Sequence, residues 1–259
     1  MSNTAKAFEN GKAFIPFITA GDPNLSVTKE IILAMVKAGA DLIEIGIPFS
    51  DPVAEGPTIQ EADLRALSSG TTTDKIFDMV AELRKETDIP LAFMTYMNPI
   101  YVYGTEKFCA KCSELKIDAL IVPDVPYEEK EEIAPYCEKY GIDAISLIAP
   151  TSHDRIKTIA KDAKGFLYCV SSMGVTGVRK EITTNIGEMI DLVREVSDTP
   201  TAIGFGISTP QQAKEMAKYA DGVIVGSAIV KICAEYGENC VPYIYDYVKQ
   251  MKTAINSVE

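Results

Sequence analysis

The chain has 259 residues, 47% of them apolar and 24% charged, a composition that can bury a full core and excludes a disordered chain. Lys and Arg number 25 against 37 Asp and Glu, a net charge of −12 with no basic block to offset it. Nucleic acid and anionic membrane are therefore excluded as principal partners, and an anionic substrate has to be held by local devices such as backbone amides.

In chain order, the opening residues MSNTAKAFEN lack the apolar stretch of a signal peptide and read as a short extra helix. Short apolar runs then alternate with amphipathic stretches. The predicted strands are Phe14–Thr19, Leu42–Ile47, Leu91–Thr95, Ala119–Val122, Ala144–Ile148, Phe166–Val170, Thr201–Ile203 and Gly222–Val225. They are apolar or β-branched nearly throughout, as strands covered on both faces should be. Between them the helical period marks Val27–Ala38, Asp74–Glu86, Thr105–Leu115, Glu128–Tyr140, Asp154–Asp162, Ile186–Val196, Pro210–Tyr219 and Ala228–Tyr236. Gly39 and Gly141 follow helices as C-caps, and Pro210 stands in a first turn.

About eight β/α repeats without a linker predict α/β architecture, a single (β/α)8 TIM barrel over residues 1–259. An open doubly wound sheet could also supply eight strands. The connections after strands two and six, 48–60 and 171–185, are longer than a barrel needs, and chemistry in barrels lies at the C-terminal strand ends.

No run approaches membrane-spanning length, and six cysteines without a secretory leader predict reduced thiols in the cytoplasm. Cys109 and Cys112 form a C-x-x-C on a predicted helix, but no second pair at zinc spacing accompanies them. The one histidine, His153, lies in a helix-capping segment. A histidine-based triad and a metal site are therefore not expected.

Strand two carries the first candidate. Leu42, Glu44 and Gly46 share a face, which puts one carboxylate inside an apolar run. Facing a barrel mouth, Glu44 would have a raised pKa and serve as general acid or base; otherwise it belongs to an internal ion pair or hydrogen-bonded network. The loop after it carries Asp51 and Glu55, each either catalytic or a solvated loop acid. Gly204-Phe205-Gly206-Ile207-Ser208 follows strand seven, and Val225-Gly226-Ser227-Ala228 follows strand eight and opens a helix. Two glycine loops at these strand ends read as a phosphate cradle, or else as plain turns. Gly174-Val175-Thr176-Gly177 after strand six could extend the cradle or form a lid.

At these residues the sequence resembles the tryptophan synthase alpha subunit family. The similarity runs in order through Phe14–Pro23, Ile43–Gln60, Tyr96–Pro99, Pro123–Pro126, Gly174–Gly177, Gly204–Ser208 and Gly226–Lys231. It implies a carbon–carbon lyase, the reversible retro-aldol cleavage of indole-3-glycerol phosphate to indole and glyceraldehyde 3-phosphate in tryptophan biosynthesis. It implies no cofactor in this chain; pyridoxal phosphate is expected only in a partner beta subunit, within an alpha2-beta2 heterotetramer that would be met near Pro48–Gly56 and Asn98–Tyr103. Glu44 falls on the catalytic glutamate and Tyr168 on the active-site tyrosine. Phe17, Ile59, Met94 and Ile121 fall around the indole ring. Gly177, Gly206, Gly226 and Ser227 fall on the phosphate cradle, and Thr176 on the lid.

Glu55 falls on the second catalytic carboxylate, but there the family has aspartate. The added methylene moves the carboxylate by about 1 Å or more, and misplacement of that order costs on the order of a hundredfold in rate. Three outcomes stay open: an alpha subunit whose loop accommodates the glutamate, a weakened subunit that mainly activates beta, and a stand-alone indole-glycerol phosphate lyase.

Overall fold

The computed structural model describes residues 4–150, 152–170, 179–204 and 206–258, with only the backbone of 179–185. A 3-10 turn at Thr4–Phe8 leads into β1 (Ala13–Thr19), α1 (Leu25–Ala38) and β2 (Ile43–Gly46). Next come α2 (Pro57–Ser68), α3 (Thr73–Leu83), β3 (Leu91–Met94), α4 (Met97–Tyr103), α5 (Thr105–Glu114) and β4 (Ala119–Ile121). A second 3-10 turn, Tyr127–Glu132, precedes α6 (Ala134–Tyr140), β5 (Asp143–Ala144), β6 (Ser146–Ile148), α7 (His153–Asp162) and β7 (Leu167–Val170). The chain continues through α8 (Arg179–Arg194), β8 (Thr201–Gly204), α9 (Pro210–Met216), β9 (Gly222–Val225), α10 (Ser227–Tyr236) and α11 (Val241–Asn256).

The nine strands run in the order β5-β4-β3-β2-β1-β9-β8-β7-β6, and every described pairing is parallel. The predicted fifth strand is divided at Ile145. Its first part pairs with β4 and its second with β7, so one stave changes partners and brings the sheet round to a nearly closed barrel.

Four further departures from the sequence reading stand out. The stretch up to Gln60 is not loop throughout, because Pro57 starts α2 and buries Ile59, Ala62, Asp63 and Ala66 at helical spacing. Residues 98–103 are helical, with Pro99 accommodated in the first turn of α4. The predicted helix 128–140 is broken at Ile133, one residue before the turn that holds Pro135. The α8 backbone begins at Arg179, which shortens the expected loop 171–185 at its far end.

Strand alternation divides the apolar residues into two layers. Ala13, Ile15, Leu42, Ala92, Ala119, Ile121, Phe166, Ala202 and Ile224 fill the barrel interior. Their neighbours, such as Phe14, Ile43, Ile45, Phe93 and Leu120, pack outward against the helices. Cap chemistry fixes helix ends: Asn24 accepts from the Val27 N–H, Gly39 takes φ 101° after α1, and Thr209 with Gln212 forms a capping box on α9. At the opposite end from the candidate site, Lys252 on α11 reaches the Lys12 carbonyl at 2.8 Å and Asp41 at 2.7 Å. Asp41 in turn accepts from the Phe14 N–H at 2.7 Å. All six cysteines are buried and unpaired, and among the described residues no helix is long and apolar enough to cross a membrane.

Candidate active site

The two-residue strand period sends one set of side chains to the barrel mouth. Because Leu42 is inside and Ile43 and Ile45 are outside, Glu44 and Gly46 face inward. The register pairs Phe17 with Glu44, Gly46 with Met94, and Met94 with Ile121. Phe17, Ile59, Ala62 and Val230 form one apolar cluster, with Met94 packed against it. Met94 and Tyr168 also pack against the interior group that contains Ile121. The five residues expected near an aromatic ring or beside it, Phe17, Ile59, Met94, Ile121 and Tyr168, are thus contiguous through Met94. Close approach explains two glycines: a β-carbon at Gly46 would lie 2.7 Å from the Phe17 ring, and one at Gly204 would lie 2.6 Å from the Tyr168 hydroxyl.

Glu44 is 1% exposed, and neither carboxylate oxygen has a hydrogen-bond partner among the described residues. The alternative of an internal ion pair finds no partner there. Burial raises its pKa to about 8, and the charge of Glu55 adds to the rise. At neutral pH Glu44 is therefore mostly the neutral acid, with a proton to give and a pKa near the working range.

The two loop acids separate. Asp51 is exposed and accepts from the Ser50 hydroxyl at 2.5 Å. Glu55 is half-buried and accepts from the Tyr96 hydroxyl at 3.2 Å. Burial raises the Glu55 pKa, and the Tyr96 hydrogen bond opposes that rise. The Tyr168 phenol is pushed well up by burial and by the charges of Glu44 and Glu55, which puts all three in one electrostatic neighbourhood.

Two roles lay outside the sequence reading, which named Tyr96 only within a segment of family similarity and Asp63 not at all. Tyr96, one residue beyond the predicted third strand, is 3% exposed and faces Glu55; its position just past a strand end was the available signal. Asp63 on α2 is 6% exposed, and its pKa is raised to about 7 by burial and the Glu55 charge, against a hydrogen bond from the Phe49 backbone. The sequence reading gave it no element, since the expected loop ended at Gln60 and the next expected helix began at Asp74. Nearby, Arg65 holds buried Asp22 through two hydrogen bonds of 2.8 and 2.9 Å, tying α2 to the β1–α1 connection.

At the far side of the mouth, Gly206 takes φ 74°, a conformation that glycine adopts without strain. Gly226 is the N-cap of α10, whose first residue is Ser227. A β-carbon at Gly226 would approach the Phe17 ring to 3.2 Å, so the helix start lies beside the apolar cluster. The N–H groups and dipole of a helix start favour a nearby anion. Thr176 and Gly177 lie outside the described residues. His153 is exposed at the first position of α7.

Residues 3–256 match the family "Tryptophan synthase alpha chain". The tryptophan synthase alpha chain of Lacticaseibacillus casei is 49% identical over 257 residues, which are 99% of this chain and 97% of that protein. The crystal structure of tryptophan synthase subunit alpha from Legionella pneumophila str. Paris superposes with a TM-score of 0.91 at 35% identity, covering all of both chains. A chain of the tryptophan synthase a2b2 complex of Pyrococcus furiosus superposes with a TM-score of 0.86 at 36% identity, covering 94% of this chain and 99% of that one. The register, the inward carboxylate and these similarities agree, and the chain belongs to the tryptophan synthase alpha chain family.

Proposed function

We propose that Glu44 carries the proton in the cleavage of indole-3-glycerol phosphate and that Glu55 steadies the indole nitrogen while it does so. The chain is a carbon–carbon lyase of the family's reaction, forming indole and glyceraldehyde 3-phosphate. The observation that carries the assignment is the buried, unpartnered, largely protonated Glu44 at the barrel mouth. Glu44 gives its proton to indole C3, which places positive charge on the ring. The bond from C3 to the glycerol carbon then breaks, its electrons return to the ring, and the adjacent hydroxyl becomes the aldehyde as its proton leaves to the Glu44 carboxylate. One proton enters and one leaves, so a single group with a pKa of about 8 serves both steps. Glu55, held beside the mouth, offers a carboxylate to the ring N–H and stabilises the cationic ring.

Phe17, Ile59, Met94 and Ile121 supply the apolar walls for the ring, and Tyr168 stands over the reacting carbons. Gly206, Gly226 and Ser227 hold the phosphate at the start of α10, with Thr176 and Gly177 expected to complete the cradle and lid. This chemistry asks for no cofactor in the chain. The partner is a beta subunit in an alpha2-beta2 assembly, as in the Pyrococcus furiosus complex. Val53 on the β2–α2 loop and Tyr101 and Val102 on α4 are between 74% and 80% exposed, an apolar surface on the two segments beside Glu55. Cytoplasmic residence follows from a substrate and partner of biosynthetic metabolism and from the six unpaired thiols.

Indole release from indole-3-glycerol phosphate, by the chain alone and with beta subunit, tests the reading. Slow release that rises sharply with beta is expected. Fast release independent of beta would make the chain a stand-alone lyase. No release with beta turnover still enhanced would make it an activating subunit.

A further inference from the structure

We infer that Tyr96 is the positioning residue that lets a glutamate serve at position 55, by fixing one carboxylate oxygen and the loop that carries it. The inference rests on the reading of Glu55 as the group that meets the indole N–H. Tyr96 is the N-cap of α4, immediately after β3, and its ring is buried against Phe49 with centroids 5.6 Å apart. Its hydroxyl is therefore held at a fixed place on the rim. Two hydrogen bonds end on that oxygen: the Ala54 N–H at 3.0 Å and Glu55 Oε1 at 3.2 Å.

Donor arithmetic gives these bonds a direction. A backbone N–H can only donate, so the hydroxyl accepts from Ala54 and has its one proton left for Glu55. An ionised carboxylate only accepts, so this arrangement suits charged Glu55, which the cationic ring requires. With Oε1 occupied, Oε2 is the oxygen left for the substrate N–H. The loop is otherwise open on its outer side, where Asp51, Val53 and Ala54 are exposed. A longer side chain on such a loop would sample many rotamers, and the Tyr96 bond selects one of them. Gln60 completes the frame by donating to the Glu55 carbonyl at 2.8 Å, which holds the backbone while Tyr96 holds the side chain.

The test is a double-mutant cycle on lyase activity in the complex with beta subunit, using Tyr96→Phe and Glu55→Ala. Phe keeps the ring on Phe49 and removes only the hydroxyl. Tyr96→Phe is expected to lower kcat about tenfold with KM changed less than about twofold, because the phosphate and ring contacts are untouched. In the Glu55→Ala background the same substitution is expected to change kcat less than about twofold. An equal loss in both backgrounds would overturn the inference while leaving the role of Glu55 in place. Unchanged kcat in Glu55→Ala alone would overturn the role of Glu55 and the inference with it. A Tyr96→Phe loss confined to KM would also overturn it, since that is the signature of a wall and not of an aimed carboxylate.

Discussion

Gly46 lies directly beneath the ring of Phe17, so close that a β-carbon there would stand 2.7 Å from the ring carbon Cζ. Glycine at the end of β2 is thus what allows the Phe17 ring on β1 to lean over the strand that carries Glu44. Gly46→Ala is expected to push the Phe17 ring into the space for indole, raising KM about tenfold and lowering stability by about 1–3 kcal/mol. Steady-state kinetics and a thermal melt check both parts, and an unchanged KM would show that the ring moves elsewhere.

Glu44→Gln removes the transferable proton while keeping shape and neutrality. Loss of kcat by about 10²–10⁴-fold is expected. The proposed C3 protonation needs this acid, which ionises as pH rises, so kcat/KM of the native protein should fall through a limb near pH 8. A profile flat to pH 9 would argue against Glu44 as the acid.

Asp63 links stability to pH in the same sense. Its pKa is raised from 3.8 to about 7 on folding, so its favourable contribution is complete below about pH 4 and is lost as pH rises to about 7. Asp63→Asn keeps an acceptor for the Phe49 backbone and removes the buried charge. The melting temperature should rise by about 5 °C at pH 8, with less than half that gain at pH 5.

The exposed apolar residues Val53 and Tyr101 give a prediction for the partner. Val53→Asp with Tyr101→Asp is expected to weaken beta-subunit binding at least about tenfold, because charges would be desolvated against the partner. The lyase rate of the isolated chain should be unchanged, and calorimetric titration with beta subunit measures the first effect.

The barrel was readable because each strand stood as a short apolar run bounded by a helix or a turn. The mouth was readable where the two-residue period put an acid among apolar neighbours, as at Glu44 between Ile43 and Ile45. What escaped the sequence was held by side-chain direction across elements. Tyr96 and Glu55 are 41 residues apart, and nothing local in either segment announces their hydrogen bond. Asp63 escaped for another reason: three prolines suggested loop as far as Gln60 and residues 61–73 carried no predicted element, whereas Pro57 opens a helix in the one turn where proline costs nothing. The break at Ile145 depends on which neighbour each half of a stave finds, a matter of closure that no single segment encodes.

The tie from Lys252 through Asp41 to the Phe14 backbone joins the last helix to the first strand. β1 also pairs with β9, which begins more than 200 residues later. During synthesis the first strand therefore has only β2 as a neighbour until nearly the whole chain has left the ribosome. The nascent N-terminal half carries an unpaired strand edge for that period, at emergence rates of roughly 5–20 residues per second. Closure of the barrel therefore comes late, when β9 reaches β1 and α11 brings Lys252 to Asp41.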